Sequence, residues 1–154
     1  MRDAAGSSLE QIGPASVPAL RQLVLREGST HGRHDPGARS QRLAVALLGR
    51  LLPVTDETVD LAADVCRDRV IHDLVRHDAC LSLAALGARE LRVRQKAIDT
   101  LLRVFQESDA DLSLRTELVY ALGQLGPEPS VVTTLAQALQ DHELFIRRAA
   151  VGTL

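Results

Sequence analysis

Apolar residues return every three or four positions along most of this chain, and they do so in blocks. From Leu114 they fall at Leu118, Ala121, Leu122 and Leu125, which is one face of an α-helix. Gly126-Pro127-Glu128-Pro129 then stops that helix and restarts another, with Gly past the end and Pro in the next first turn. The following helix carries Val132, Leu135, Ala138 and Leu139 on its apolar stripe. No segment sustains the two-residue alternation of a half-buried strand. The pattern predicts an all-α chain built from helical hairpins.

The block recurs. Val75–Gly87 parallels Leu114–Gly126, and in both an Arg (Arg76, Arg115) precedes the closing Gly by eleven residues. Ile146-Arg147-Arg148-Ala149-Ala150 opens a third copy, and Ser40–Leu52 is a looser fourth. The aligned positions Gln41, Arg76, Arg115 and Arg147 are spaced by 35, 39 and 32 residues, a length that suits a two-helix repeat. Asp35, Asp109 and Asp141 each lie six residues before an aligned position, where a carboxylate is expected to cap the coming helix. Near the N-terminus Leu9-Glu-Gln-Ile-Gly-Pro14 matches Leu122-Gly-Gln-Leu-Gly-Pro127, so the chain is expected to open late in a first helix. One domain over 1–154 follows, with repeats near 1–27, 37–67, 70–107 and 109–140 and a half repeat at 141–154. Helices are expected over 14–27, 37–52, 55–67, 70–87, 89–107, 112–126, 129–140 and 141–154, with a Gly- and His-rich loop at 28–36.

Composition narrows the function classes. Leu, Ala and Val dominate, aromatics are only 2% of the chain, and Trp is absent. Such residues let helices approach closely. A formal net charge of −2 provides no global field toward nucleic acid or an anionic membrane. Cys66 and Cys80 sit in apolar helical stretches without metal or redox spacing, as expected of buried thiols in a reducing compartment. No apolar run is long enough to span a bilayer, and a cytoplasmic protein is expected.

Asp, then Arg six residues on, then an Ala-rich helix ending in Leu-Gly, then Pro and a Val-x-x-Leu helix resembles the HEAT repeat. Asp141-His-Glu-Leu-Phe-Ile-Arg-Arg-Ala-Ala150 and Ile12-Gly-Pro-Ala-Ser-Val-Pro-Ala-Leu20 are most similar to the short subclass found in phycobilin lyases and bacterial scaffold proteins. The resemblance implies a right-handed α-solenoid of about four antiparallel hairpins with incomplete ends. It also implies that second helices line a concave binding face. On those helices Asp56, Glu57, Asp60 and Asp64 form an acidic run, and Arg89, Arg92, Arg94, Lys96 and Arg103 a basic one. Two readings stand: a surface that reads a partner of complementary charge, or neighbouring helices that pair across the groove between repeats.

A third set invites a catalytic reading. Val75-Arg-His-Asp-Ala79 and Leu114-Arg-Thr-Glu-Leu118 are similar to the metal-binding repeats of deoxyhypusine hydroxylase, a HEAT-type enzyme, which would make His77, Asp78 and Glu117 ligands. Only one aligned position keeps a His, and Arg148 stands at another, where a cation opposes metal binding. His31 and His34 share a His-x-x-His spacing but lie in the Gly-rich loop without a second ligand pair. HEAT-like DNA glycosylases need a basic channel and aromatic residues, which this composition lacks. No phosphate loop or nucleophile elbow is present, and neither a cofactor nor a catalytic residue set is expected.

The last half repeat is expected to leave Leu144, Ile146, Ala150 and Leu154 as an apolar stripe without a second helix, and solenoids normally close with polar caps. A segment of a longer protein is expected, against a further tail or an end that docks on another chain, and residues 1–154 alone are expected to self-associate or to be only marginally stable. The sequence therefore points to a protein-interaction scaffold or adaptor, with a divergent metal-dependent or phycobilin-lyase-like HEAT enzyme as the alternative.

Overall fold

A computed structural model describes residues 13–25, 36–107 and 111–154. The early half-helix, the loop histidines His31 and His34, and the expected caps Asp35 and Asp109 lie outside these residues. Among the described residues, a 3-10 turn at Gly13–Ser16 leads into eight α-helices. They are α1 Val17–Val24, α2 Pro36–Leu48, α3 Asp56–Arg67, α4 Asp73–Arg89, α5 Leu91–Gln106, α6 Leu112–Gln124, α7 Pro129–Ala138 and α8 Leu144–Thr153. First helices α2, α4, α6 and α8 pack in succession as one row, and second helices α1, α3, α5 and α7 as the other. The core lies between the rows and is mostly Leu, Val and Ala. Hairpins of this kind bury their apolar stripe only by stacking on neighbours, which is why the repeats form one continuous core.

The punctuation read from the sequence is where the chain turns. Gly13 and Gly126, the matched glycines of the two Gly-Pro junctions, both take positive φ (63° and 92°), a region that favours Gly over any residue with a Cβ. Capping departs from the expected Asp pattern. α6 is capped by Asp111, whose Oδ1 accepts from the Leu114 amide at 2.6 Å. α3 is capped by Thr55 and α4 by His72, whose Nδ1 accepts from the Leu74 amide. At α8 the cap position is Glu143, not Asp141. Asp141 instead sits two residues earlier, where its Oδ1 accepts from the Glu143 amide at 2.9 Å.

The aligned Gln/Arg position has a recurrent physical task. Gln41 donates to the Val24 carbonyl at the end of α1, and Arg76 to the Cys66 carbonyl near the end of α3. Arg147 donates to the Asp141 and His142 carbonyls just beyond α7. Gln41 and Arg76 therefore satisfy carbonyls left open where a second helix ends, at the negative pole of its dipole, and Arg147 serves the turn that follows one. Arg115 is the variant. It lies over the Phe105 ring in the last turn of α5 (5.3 Å to the centroid) and pairs with Asp141 at 2.6 Å.

That last pair ties one repeat to the next and is pH-dependent. Burial pushes the Asp141 carboxyl up, but the Glu143 amide and the Arg115 guanidinium outweigh it and hold the group below its ordinary value. A depressed carboxylate contributes stability that is full above the unfolded value, about pH 3.9, and is lost as pH falls through the lower folded value. Asp141→Asn is expected to lower the urea midpoint at pH 7 and to flatten its decline below pH 4. An unchanged acid limb would remove Asp141 from the acid response.

Candidate functional site

The acidic and basic runs lie on adjacent second helices, and the structure brings them together. Thr55 starts α3 with its hydroxyl accepting from the Thr58 amide, which sets Asp56 and Asp60 on successive turns. On α5, Arg92 and Lys96 have the same four-residue spacing. Arg92 pairs with Asp56 and Lys96 with Asp60, forming two rungs between repeats. Arg92 also donates to the Val54 carbonyl at 2.8 Å.

The remaining charges are mostly spent locally. Asp64 pairs with Arg67 on its own helix at 2.8 Å. Arg94 donates to the Gly87 and Ala88 carbonyls at the end of α4, and Arg89 to Ala85. Arg103 is exposed, with no ion pair among the described residues. Of the two readings left open by the sequence, pairing across the groove describes Asp56, Asp60, Arg92 and Lys96. The sequence carries a signal for it: acids at 56 and 60 and bases at 92 and 96 share an i, i+4 spacing and a common offset close to one repeat.

Both rungs are largely exposed, so they fix register more than they add stability. Arg92→Glu is expected to cost no more than about 1 kcal/mol, or about 2–4 °C at this chain length. The exchange Asp56→Arg with Arg92→Glu should recover most of it. A loss several-fold larger in thermal melts would mean the rung is not a simple surface pair.

His77, Asp78 and Glu117 do not form a ligand set. Asp78 is held by Arg42 of the preceding first helix, through contacts of 2.7 and 3.4 Å to its two oxygens. His77 is buried, and its Nε2 points toward Asp111 at 3.9 Å without a hydrogen bond. Glu117 lies half-buried one repeat later. Among the described residues no group of three or more His, Cys, Asp or Glu side chains is placed to hold a metal. Cys66 and Cys80 are both buried, and burial together with contact between the two thiols pushes the Cys80 thiol well up, away from thiolate chemistry.

Two hollows remain. One, of about 250 Å³, lies between α2 and α4 and is bordered by Gly49, Arg50, Asp78, Ser82 and Arg89. The other, of about 240 Å³, lies where α6, α7 and α8 meet and is lined by Gly126, Val131, Val132, Leu135, Thr153 and Leu154. Beside it α8 turns Leu144, Phe145, Val151 and Leu154 to solvent. Of the stripe expected from sequence, Ile146 and Ala150 are instead buried, so the open face is offset from the one predicted. Among the described residues no helix is long and apolar enough to cross a membrane.

Known proteins bear on this geometry in three ways. Residues 114–141, which span α6, α7 and the Asp141 junction, match the PBS lyase HEAT-like repeat family. No curated protein matches the sequence. Among solved structures, the chain is similar to one in the complex of CpcE and CpcF of phycocyanin lyase from Nostoc sp. PCC7120. That similarity has a TM-score of 0.73 at 22% identity and covers 99% of this chain and 88% of that one. At such identity the likeness speaks for the fold, and it agrees with the two-row stacking described above. Residues 114–141 thus resemble a PBS lyase HEAT-like repeat, set in a chain whose fold is that of a HEAT-repeat solenoid.

Proposed function

We propose that this chain is a HEAT-repeat subunit of a two-protein assembly of the phycobilin-lyase type. In this reading it pairs with a second protein and, with it, handles a pigment-bearing protein. The observation that supports it is the near-complete cover of both chains in the match to a member of the CpcE–CpcF complex. The lyase repeat at 114–141 adds to it. The geometry fits a division of labour. A solenoid supplies extended surface, and the polar groups here are mostly engaged in holding repeats in register. Chemistry would then arise at a surface completed by the partner.

The second reading is a scaffold that pairs with a protein and performs no chemistry. It is favoured by His77, Asp78 and the charge rungs, all of which have partners or surroundings inside the chain.

One experiment separates the two. The full chain is produced with its co-purifying partner, a phycocyanin apo-subunit and a linear tetrapyrrole. Covalent pigment is then read by visible absorbance of the denatured apo-subunit. Pigment attachment or removal that requires both chains supports the lyase subunit. A stable partner without pigment transfer supports the scaffold. Absence of any partner overturns both.

A further inference from the structure

We propose that the hollow between α2 and α4 binds an acidic–apolar peptide segment of a partner protein. One aliphatic or aromatic side chain of that segment fills the hollow, and an Asp or Glu beside it lies between Arg50 and Arg89. The site depends on neither the lyase nor the scaffold reading and adds a surface to both.

The repeat register explains why a hollow opens at this junction. First helices stack in a constant register: Gly49 of α2 is approached closely by Ser82 of α4, and Gly123 of α6 by Thr153 of α8. Five residues after the aligned positions Gln41, Arg76 and Arg115 stand Ala46, Leu81 and Tyr120. The short side chain of Ala46 leaves about 250 Å³ open beside Gly49, Leu81 and Ala85. Both walls, α2 and α4, are described helices, so the opening is a gap between stacked repeats and not an unfinished end.

The lining is mostly aliphatic. Ser82 directs its hydroxyl away, donating to the Val45 carbonyl at 2.9 Å. At one end Asp78 is neutralised by Arg42. At the other end stand Arg50 and Arg89. They occupy the same place in two copies of one pattern, Ala46-x-x-x-Arg50-x-Leu52 and Ala85-x-x-x-Arg89-x-Leu91. Arg89 donates through Nε to the Ala85 carbonyl at 3.1 Å, and its terminal nitrogens form no ion pair among the described residues. The next junction lacks such a pair, because the positions of Arg50 and Arg89 are taken there by Ala85 and Glu128.

Two cations at one end of an apolar slot suit a carboxylate that follows an apolar side chain. Leu52 and Leu91, two residues beyond the arginines, are 60% and 71% exposed. Arg92 donates to the Val54 carbonyl and so holds these two turns side by side. The apolar surface thus continues past the hollow, further than a small anion would cover, which favours a peptide.

The test selects phage-displayed random dodecapeptides against the full chain, then titrates a fluorescein-labelled winner by anisotropy. An enriched Leu, Ile or Phe next to Asp or Glu is expected. Ala46→Leu copies the residue that α4 carries at this position. It should fill the hollow and abolish binding with little change in melting temperature. Arg89→Glu should weaken binding about tenfold or more, and a peptide with Lys in place of the acid should regain affinity for that variant. A selection without binders, enrichment without an acid, or binding unchanged by either variant overturns the proposal. Leu43 is exposed one turn before Ala46, and Leu43→p-benzoylphenylalanine should crosslink to the peptide. Crosslinking instead onto residues 1–12 or 26–35 of the same chain would mean that the chain covers its own site, and overturns the proposal as well.

Discussion

Truncation of Leu83 to alanine is expected to lower the unfolding free energy by about 2–5 kcal/mol, the range for emptying a packed leucine site. Leu83 is fully buried on α4, and α4 packs on α2, α3, α5 and α6 at once. In a solenoid, stability is close to a sum of repeat terms and nearest-neighbour terms. A cavity in α4 weakens the interfaces to both neighbouring repeats and leaves no intact half large enough to hold the other. At this length each kcal/mol corresponds to about 2–4 °C, so the melting temperature should fall by about 4–20 °C.

Leu135→Ala is the informative contrast. Leu135 is also buried, but among the described residues α7 packs chiefly on α5, α6 and α8. Its loss should fall at the low end of the range and release the last hairpin first. Urea unfolding followed by a probe near α8 and another near α3 reads both outcomes. Coincident transitions for Leu83→Ala and separated ones for Leu135→Ala are expected. A cost below about 1 kcal/mol at Leu83 would contradict the central role given to α4.

Much of this packing is legible in the order of the amino acids. The apolar stripe Leu114, Leu118, Ala121, Leu122 and Leu125 is buried throughout, and the helix expected over 112–126 ends within two residues of its predicted bound. Local periodicity and Gly-Pro punctuation are properties of consecutive residues, so a sequence displays them directly. The aligned Arg is visible there as a pattern, but its task is not, because the carbonyls it serves belong to the preceding helix or the turn after it. Asp141 misleads for a related reason. Its spacing to Arg147 suggests a cap within one helix, whereas its ion-pair partner, Arg115, is a full helical hairpin upstream. The charge runs are ambiguous in the same way, since a run of like charge looks identical whether it awaits a partner or faces its complement one repeat away. What escapes the sequence is thus chiefly side-chain pairing between repeats.

Gly87 makes that distinction testable at a single atom. Its φ is not in the left-handed region, so nothing in its backbone demands glycine. A helix interior would ordinarily gain up to about 1 kcal/mol from alanine. A Cβ at Gly87, however, would lie 2.8 Å from the Ala97 Cβ and 2.7 Å from a Leu125 methyl. The leucine can rotate away. The Ala97 Cβ is fixed to the backbone of α5, so the α4–α5 interface has to separate. Gly87→Ala should therefore destabilise in spite of helix propensity, and Gly87→Val should cost about 1–3 kcal/mol or more as overpacking. Because the obstruction is one methyl, Ala97→Gly should rescue Gly87→Ala. The double mutant should then be more stable than the sum of the single effects by at least about 1 kcal/mol. Gly126 is the control of opposite kind. Its φ is 92° and a Cβ there would meet nothing within 4 Å, so Gly126→Ala should cost about 1–2 kcal/mol through backbone strain and should not be rescued by trimming any neighbour. Additive behaviour of Gly87 and Ala97 in chemical denaturation would show that the close approach of α4 and α5 does not require glycine.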